Sequence, residues 1–174
     1  MPTITHLSPE AFGTAVDGLA DVLVDAVASG ASLGFLQPFG HEDAAAWWRT
    51  RRSALDAGTL KVWAAHTPDG IVGTVSLALE PKANGRHRAE IVKLMVHRKA
   101  RGQGLARRLL STAERAAQEA GVTLLLLDTE TDSTADRLYA TTGWTRFGKV
   151  PAYASDPTGA LQDCSFFYKE LMPS

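Results

Sequence analysis

The sequence of 174 residues predicts a mixed α/β (α+β) fold, with a central sheet of about six to seven strands flanked by about four helices. Segments with helical periodicity alternate with strand-like segments along the chain. One segment, 122–127, is almost wholly apolar, which is typical of a strand covered on both faces. Because no repeat, low-complexity tract or linker divides the sequence, we expect one domain spanning residues 1–174.

The first half of the chain shows helix and hairpin signals. Ser8-Pro9 is typical of a helix start, because serine caps free N–H groups and proline suits the first helical position. Gly58 is typical of a helix end, and Thr67-Pro68-Asp69-Gly70 has the chemistry of a hairpin turn. The predicted strands and helices of this half are strand 3–7, helix 9–28, helix 42–57, and strands 61–66 and 71–79, with a loop at 29–40.

The second half begins with a strand that leads into a glycine-bearing turn and an amphipathic helix. The predicted strands and helices here are strand 89–96, helix 104–120, strand 122–127, helix 134–141, and strands 145–149 and 165–171. A strand, a helix and a second strand in this order favour a parallel pair. We therefore expect segments 89–96 and 122–127 to lie side by side at the centre of the sheet.

The segment from Arg101 to Ala106 predicts an anion site. The first backbone N–H groups of a helix have no partner within the helix, and its dipole places partial positive charge beside them. Gly102 and Gly104 have no Cβ, so a pyrophosphate could approach the backbone closely. The turn is not a Walker loop, since no Gly-Lys-Ser/Thr follows, and Arg107 occupies the place of the third glycine of a dinucleotide fingerprint.

Arg-x-x-Gly-x-Ala after a strand resembles motif A (Q/R-x-x-G-x-G/A) of the GNAT acyltransferases, and the predicted order of strands and helices resembles that family over nearly the whole chain. The resemblance implies the GNAT fold, acetyl-CoA as cosubstrate and no metal. It implies that the cosubstrate contacts Leu94, Met95, Val96, Arg101, Gly102, Gln103, Gly104, Leu105, Ala106, Ser133 and Asp136.

Acetyl transfer to an amine needs a base and an acid, because an amine with a pKa near ~10.4 must lose a proton and the departing thiolate must gain one. Tyr139 is the candidate acid. It lies in Ala135-x-x-Leu138-Tyr139-x-x-x-Gly143-Trp144, which resembles the GNAT signature whose tyrosine faces the CoA sulfur. The alternative is a core aromatic whose hydroxyl is bonded to a backbone carbonyl.

Glu90 and Asp128 are the candidate bases. Glu90 lies near the start of the strand that leads to the turn, and Asp128 follows the apolar strand, where open α/β sheets bind ligands. The alternatives are an exposed Glu90 paired with Arg88, and an Asp128 that caps the strand end by accepting backbone N–H bonds.

A narrower resemblance involves Ala89-Glu90-Ile91-Val92-Lys93-Leu94 and Leu127-Asp128-Thr129-Glu130, together with the tail from Tyr139 to Lys169. These segments are similar to the tabtoxin resistance acetyltransferases. The similarity implies Glu90 and Asp128 as bases, Tyr139 as acid, and a small-molecule primary amine as acceptor. Amino-acid-like antibiotics or toxins are the candidate acceptors, with a role in resistance.

Two other functions stay open: acetylation of a protein lysine or N-terminus, and acyl-CoA sensing without turnover. We expect segments 29–40 and 150–162 to close the acceptor site, which favours a small molecule. Trp47, Trp48, Phe35 and Phe39 are either pocket-lining residues or core.

The bulk composition excludes several classes of function. Apolar residues make up 45%, charged residues 21%, and the formal charge is −1, so the composition gives no sign of nucleic-acid binding. We expect no membrane span and no signal peptide, a cytoplasmic location, and a monomer or homodimer. Cys164 is the single cysteine and excludes an intramolecular disulfide. The histidines lack metal-ligand spacing, and Arg49, Arg51 and Arg52 suggest a solvated helix face.

Overall fold

The computed structural model describes residues 1–173 and contains seven strands and five α-helices. Ser174, the last residue of the predicted single domain, lies outside the described residues. The strands are β1 (Thr3–His6), β2 (Leu60–Thr67), β3 (Gly70–Leu79), β4 (Arg88–Val96), β5 (Leu124–Glu130), β6 (Thr145–Ser155) and β7 (Leu161–Glu170). The helices are α1 (Pro9–Ala28), α2 (His41–Arg49), α3 (Arg52–Asp56), α4 (Leu105–Glu119) and α5 (Thr134–Ala140).

All seven strands form one mixed sheet in the order β1-β2-β3-β4-β5-β7-β6. Neighbouring strands are antiparallel except β4 and β5, which are parallel and are connected through α4. The predicted mixed α/β fold is confirmed, including the strand number and the central parallel pair. The four longer helices match the predicted number, and α3 adds one short turn of five residues.

Two apolar layers cover the sheet, one on each face. The first contains the inward side of α4, Tyr139 of α5, and alternate residues of β3, β4 and β5. The second contains α1, α2 and α3 together with Met95 of β4. Because each strand residue points to the face opposite its neighbours, the assignment of one residue to a layer fixes the direction of the next. The two faces are called the α4 face and the α1 face below.

The parallel pair at the centre of the sheet separates soon after it forms. β4 and β5 pair over three positions only, the last being Glu90 with Leu126. A register shift between β3 and β4 follows, where the backbone of Lys93 has φ 52°, a value that a lysine rarely adopts. Beyond this bulge, β4 pairs with β3 but not with β5. The sheet therefore has a gap between β4 and β5 on the side where both strands end.

The predicted helix 42–57 is wrong as one continuous element, since it is divided into α2 and α3. The hydroxyl of Thr50, at the end of α2, donates to the carbonyl of Trp47 at 2.6 Å. This local bond competes with the regular helical bonds and favours a break.

The predicted strands 145–149 and 165–171 are too short, because β6 and β7 also take in most of the segment 150–162 between them. Its strand pattern is interrupted by Pro151 and by a second bulge, where Ala152 has φ 50°. The hairpin turn is held by Asp156, whose Oδ1 accepts from the N–H groups of Thr158 and Ala160. None of the helices in residues 1–173 is long and apolar enough to cross a membrane.

Candidate active site

The glycine-bearing turn lies between β4 and α4, as predicted. A single 3₁₀ turn, Arg98–Ala100, follows β4, and the chain then reverses through Gly102 and Gly104 into Leu105, the first residue of α4. Gly102 has φ 75° and Gly104 has φ 74°, so both adopt the left-handed conformation that glycine tolerates without strain. Gly104 is the N-cap of α4 and provides no side-chain cap for the helix.

Six successive backbone N–H groups at this turn, those of residues 102–107, donate to no acceptor within residues 1–173. No Cβ stands in front of them at the two glycines, and Gly102, Gln103 and Gly104 are all exposed. Ala106, on the first turn of α4, is half-buried, whereas Leu105 is buried in the core. Free N–H groups at the start of a 15-residue helix are donors of the kind that anions bind, and their number suits a diphosphate.

Asp25 of α1 holds this turn in place, and sequence reasoning missed it. Its carboxylate is buried, with 7% of the residue exposed, and accepts from the backbone N–H of Arg98 at 2.9 Å. The guanidinium groups of Arg98 and Arg101 both bind the same carboxylate. Burial raises the pKa of Asp25, but the hydrogen bonds and positive charge of Arg98 outweigh that effect and hold it below the usual range.

The side chain of Arg101 therefore binds inside the protein rather than extending into the anion site. Its Nε donates to the carbonyl of Val96 at 2.9 Å, and its second nitrogen lies 3.4 Å from Asp25. Ser29 accepts a further bond from the same guanidinium. Arg101 thus connects the end of β4 to α1, and its predicted contact with the cosubstrate stays a prediction.

The edge of β4 that faces the gap offers a second set of free backbone groups. The backbone N–H of His97 donates to the carbonyl of Val72 at 2.9 Å, so His97 is a hydrogen-bonded position of the β3–β4 ladder. In an antiparallel pair every second residue turns its N–H and C=O toward the partner, so Met95 bonds to β3. Leu94 and Val96 turn their N–H groups toward the gap. The side chain of Met95 is buried in the layer on the α1 face.

Tyr139 lies on α5 with its ring packed against Trp144 and Phe167, at centroid distances of 5.8 and 5.7 Å. Only 5% of the residue is exposed, yet its hydroxyl has no hydrogen-bond partner within residues 1–173. The alternative in which a backbone carbonyl satisfies this hydroxyl is therefore not what the structure shows. Burial, and then the negative charges of Asp128 and Glu114, raise the pKa of Tyr139, which keeps the phenol protonated.

Ser133 and Asp136, both predicted to contact the cosubstrate, form the N-terminal cap of α5. The Ser133 hydroxyl accepts from the N–H of Asp136 at 3.1 Å. One carboxylate oxygen of Asp136 accepts from the N–H of Asp132, and the other binds Arg146 at 2.7 Å. Because Asp136 is buried and both its oxygens are occupied, its evident task is to fix the start of the helix that carries Tyr139.

Glu90 and Asp128 share the α1 face of the sheet. Ile91 and Leu127 belong to the layer on the α4 face, so the residues beside them point the other way. Glu90 pairs with Leu126, which places Asp128 two positions further along β5, beside the gap. Glu90 is exposed, as its alternative expected, yet desolvation of its carboxyl by the surrounding protein raises its pKa, and the charge of Asp128 raises it further, against the opposing charge of Lys93.

The alternative pairing proposed for Glu90 is absent within residues 1–173, because Arg88 binds Glu80 at 3.1 Å instead. Asp128 also accepts no bond from a backbone N–H within the described residues, so it does not cap the strand end. Its Oδ2 accepts from the thiol of Cys164 at 3.4 Å. Burial, followed by the charge of Asp128, raises the pKa of that thiol to about 12, so Cys164 is a buried strand residue rather than a nucleophile.

Aromatic residues of the α1–α2 region lie over the α1 face of β4. Phe35 and Trp47 are half-buried and pack edge to face at 5.6 Å. The ammonium of Lys93 lies 5.1 Å from the centroid of Trp47 and 5.9 Å from that of Phe35. Trp48 is fully buried, so one of the two tryptophans belongs to the core and the other borders the site.

The loop 29–40 extends across this face to the tip of the β6–β7 hairpin. The N–H of Gln37 donates to the carbonyl of Pro157 at 2.9 Å, and the hydroxyl of Ser32 donates to the carbonyl of Ser155 at 3.2 Å. The loop and the hairpin therefore meet across the α1 face. No group of three potential metal ligands occurs in the part of the chain that the structure describes.

The arrangement has two sides joined by the gap. The free N–H groups and Tyr139 belong to the α4 face, whereas Glu90, Asp128 and Lys93 belong to the α1 face. A diphosphate-bearing molecule at the turn can extend along the free edge of β4. A second molecule can approach the gap from the opposite face.

The sequence matches the acetyltransferase (GNAT) family over residues 25–144. A ribosomal-protein-alanine N-acetyltransferase from Brucella melitensis has a similar structure, at 24% identity and a TM-score of 0.74, with 97% of this chain and 99% of that one covered. An N-acetyltransferase from Staphylococcus aureus Mu50 is similar at 16% identity and a TM-score of 0.78, with 99% of each chain covered.

The structure of yncA from Salmonella typhimurium with its cofactor acetyl-CoA is similar at 20% identity and a TM-score of 0.76, covering 100% of this chain and 96% of that one. At these identities the likeness to the solved structures shows a shared fold. None of these comparisons identifies the tabtoxin-resistance subtype.

Proposed function

Since this chain belongs to the acetyltransferase (GNAT) family, we propose that it moves an acetyl group from acetyl-CoA directly to the primary amine of a small molecule. The observation that carries this proposal is the run of six free N–H groups at residues 102–107, at the end of the strand that borders the gap. A diphosphate needs such a set of donors, and no acidic side chain of the turn opposes it.

Acetyl-CoA supplies a thioester whose carbonyl carbon accepts the amine nitrogen as the bond to sulfur breaks. The turn would hold the diphosphate, and the outward N–H groups of Leu94 and Val96 would hold the chain that extends along β4. A backbone N–H at this edge also stabilises the oxygen on which negative charge develops. Removal of one such donor in other enzymes costs ~10²–10³ in kcat.

Glu90 is the proposed general base, with Asp128 beside it. A carboxylate accepts a proton from an ammonium more readily when its own pKa is raised, and desolvation and the charge of Asp128 both raise that of Glu90. Transfer through a water molecule would let either carboxylate serve. The amine then loses its proton on the α1 face and attacks through the gap.

Tyr139 is the proposed general acid. Its hydroxyl is protonated, lacks a partner within residues 1–173, and belongs to the opposite face of the sheet from the base. As the bond to sulfur breaks, the hydroxyl donates to the developing thiolate and transfers its proton. Base and acid thus lie on either side of the reacting carbon, and neither must exchange its proton with the other during the reaction.

A small acceptor is favoured by the contact between loop 29–40 and the β6–β7 hairpin. The bonds from Gln37 and Ser32 join the loop to the hairpin across the α1 face, on which Glu90 and Asp128 are exposed. A protein substrate needs an open groove through which its chain can pass on both sides. The narrower resemblance to tabtoxin resistance acetyltransferases agrees with an amino-acid-like acceptor.

The test is calorimetric titration with acetyl-CoA followed by assay of CoA release from a panel of amino acids, amines, amino-acid-like antibiotics and peptides. We expect binding with acetylated product from at least one small amine, verified by mass spectrometry. Product from peptides alone would favour protein acetylation, and tight binding without any product would favour an acyl-CoA sensor. No binding of acetyl-CoA would overturn the proposal.

A further inference from the structure

Lys93 occupies a position that does not suit a lysine. It lies at the bulge of β4 with φ 52°, in the left-handed region where a residue with a side chain is strained. The bulge aims its side chain toward the α1 face, against the rings of Trp47 and Phe35. A glycine or asparagine would adopt this backbone at lower cost, so the side chain at this position needs a separate explanation.

The ammonium of Lys93 has no ion pair and no hydrogen bond within residues 1–173. It carries three donors, and the two aromatic rings satisfy its charge in part but accept no conventional hydrogen bond. Lys93 is half-buried, and burial lowers its pKa against the opposing charges of Asp128 and Glu90. A half-buried cation with free donors is a binding group for an anion.

The neighbouring charges define what that anion can be. Glu90 and Asp128 lie close enough to Lys93 for their charges to affect it, but neither forms an ion pair with it. The site therefore has two carboxylates and an ammonium side by side that form no ion pair with each other. A ligand that carries an ammonium and a carboxylate on adjacent atoms would complement both.

Resting on the proposed acetyl transfer, we propose that Lys93 binds the carboxylate of the acceptor and that the enzyme selects α-amino acids over amines that lack this group. The amine is then directed toward Glu90, while the carboxylate replaces the hydrogen-bond acceptor that Lys93 lacks. Arg51, whose guanidinium lies 5.1 Å from the centroid of Trp47, adds positive charge to the same corner.

The experiment compares α-amino acids with their carboxamides, which retain the side chain and the amine but lose the negative charge. The amine of the amide deprotonates more readily, so intrinsic reactivity favours the amide, and a preference for the acid reports recognition of the carboxylate. For the wild type we expect a kcat/KM ratio of acid to amide of about 10–100, the range of a charge-assisted hydrogen bond.

The variant Lys93→Met retains the length of the side chain and the backbone strain but removes the charge. We expect the ratio of acid to amide to fall close to one, mostly through KM, and Lys93→Arg to restore part of it. The control is Lys61→Met, which changes a half-buried lysine on β2 and leaves the ratio unaltered. An equal loss with acid and amide in Lys93→Met would show a purely structural lysine and overturn the inference.

A binding measurement separates this inference from the proposed function. CoA-saturated enzyme is titrated with the same acids and amides. Tighter binding of the acid that depends on Lys93, without acetylated product from any amine, would support the anion site and refute acetyl transfer. Turnover of acids and amides at equal efficiency in the wild type would support acetyl transfer and refute the carboxylate site.

Discussion

The two sides of the β4–β5 gap are built in different ways. On the α4 face, the proposed anion site consists of consecutive residues, 102–107, whose backbone N–H groups are free within the described residues. On the α1 face, the proposed acceptor side combines residues from separate segments: loop 29–40, α2, β4, β5 and the β6–β7 hairpin. The first side offers backbone N–H groups to a ligand, and the second offers mainly side chains.

This difference implies that the two sides tolerate change unequally. A backbone site depends on a few dihedral angles and on the element that holds the turn, so most side chains around it can vary. A side-chain site changes its ligand when one of its members changes, while the fold is preserved. We expect variants on the α4 face to alter the affinity for acetyl-CoA and variants on the α1 face to alter the choice of acceptor.

Tyr139 belongs to the α4 face and is the proposed general acid, so its loss should affect the chemical step most. We expect Tyr139→Phe to lower kcat by about 100-fold or more, the usual contribution of a general acid. The affinity for acetyl-CoA should stay the same. Because the hydroxyl has no partner within residues 1–173, its removal should leave the thermal stability unchanged or slightly higher.

The measurement is steady-state kinetics together with calorimetric affinity, and Tyr168→Phe, a half-buried tyrosine on β7, is the control. A loss of affinity that accounts for the whole loss of rate would contradict the role of acid. In that case Tyr139 would belong with the residues that position the cosubstrate.

The α4 face could be predicted from the sequence because its information is local. Gly102 and Gly104, the strand before them and the helix after them lie in one continuous segment from Arg88 to Glu119, and each follows a general rule of backbone geometry. The parallel pair was predictable for the same reason, since a strand, a helix and an apolar strand follow one another directly.

Features that depend on contacts between distant residues, on either face, could be predicted only in part. Asp25 binds Arg98, 73 residues away, and nothing in the local sequence indicates this contact. The bulge at Lys93 comes from the register of three strands rather than from the residue itself. The hairpin beyond Val150 was missed because Pro151 interrupts its pattern and its bulge breaks the alternation.

The contact between Asp25 and the turn is the part of the α4 face that depends on a side chain. We expect Asp25→Asn to lower the free energy of unfolding by about 1–3 kcal/mol, the range for hydrogen bonds to a charged group, and to weaken acetyl-CoA binding. The pKa of Asp25 is lower in the folded protein than its ordinary value of 3.8. Its contribution is therefore complete above that value and is lost as pH falls through the folded pKa.

Denaturant unfolding between pH 3 and 7 measures this contribution. The difference in the free energy of unfolding between wild type and Asp25→Asn should be constant toward pH 7 and shrink below about pH 4. A difference that persists unchanged at pH 3 would show that the ionised carboxylate is not what holds the turn.

Gly104 tests the backbone site with a matched partner elsewhere in the fold. Gly104 and Gly58 have nearly the same backbone angle, φ 74° and 73°, and neither has an atom within 4 Å of an added Cβ. Alanine at either position should therefore cost about 1 kcal/mol of stability. We expect only Gly104→Ala to weaken the binding of acetyl-CoA, by about tenfold in affinity, because the altered turn moves the free N–H groups.

Calorimetric affinities of the two variants make this comparison independent of turnover. Equal affinities in Gly104→Ala and Gly58→Ala would mean that the turn does not hold the diphosphate. A loss of affinity confined to Gly104→Ala would sharpen the contrast with the α1 face.

The smallest expected effect is a shift of pH dependence on the α1 face. If Glu90 is the base, kcat at saturating acceptor must fall as pH drops through its pKa, which desolvation and then the charge of Asp128 raise above the ordinary value of 4.5. Asp128→Asn removes that negative charge, so the pKa of Glu90 decreases and the acidic limb of the profile moves to lower pH. Glu90→Gln should remove the acidic limb altogether. If the limb instead persists in Glu90→Gln and disappears in Asp128→Asn, the proton is accepted at the end of β5, and Glu90 acts only through its charge.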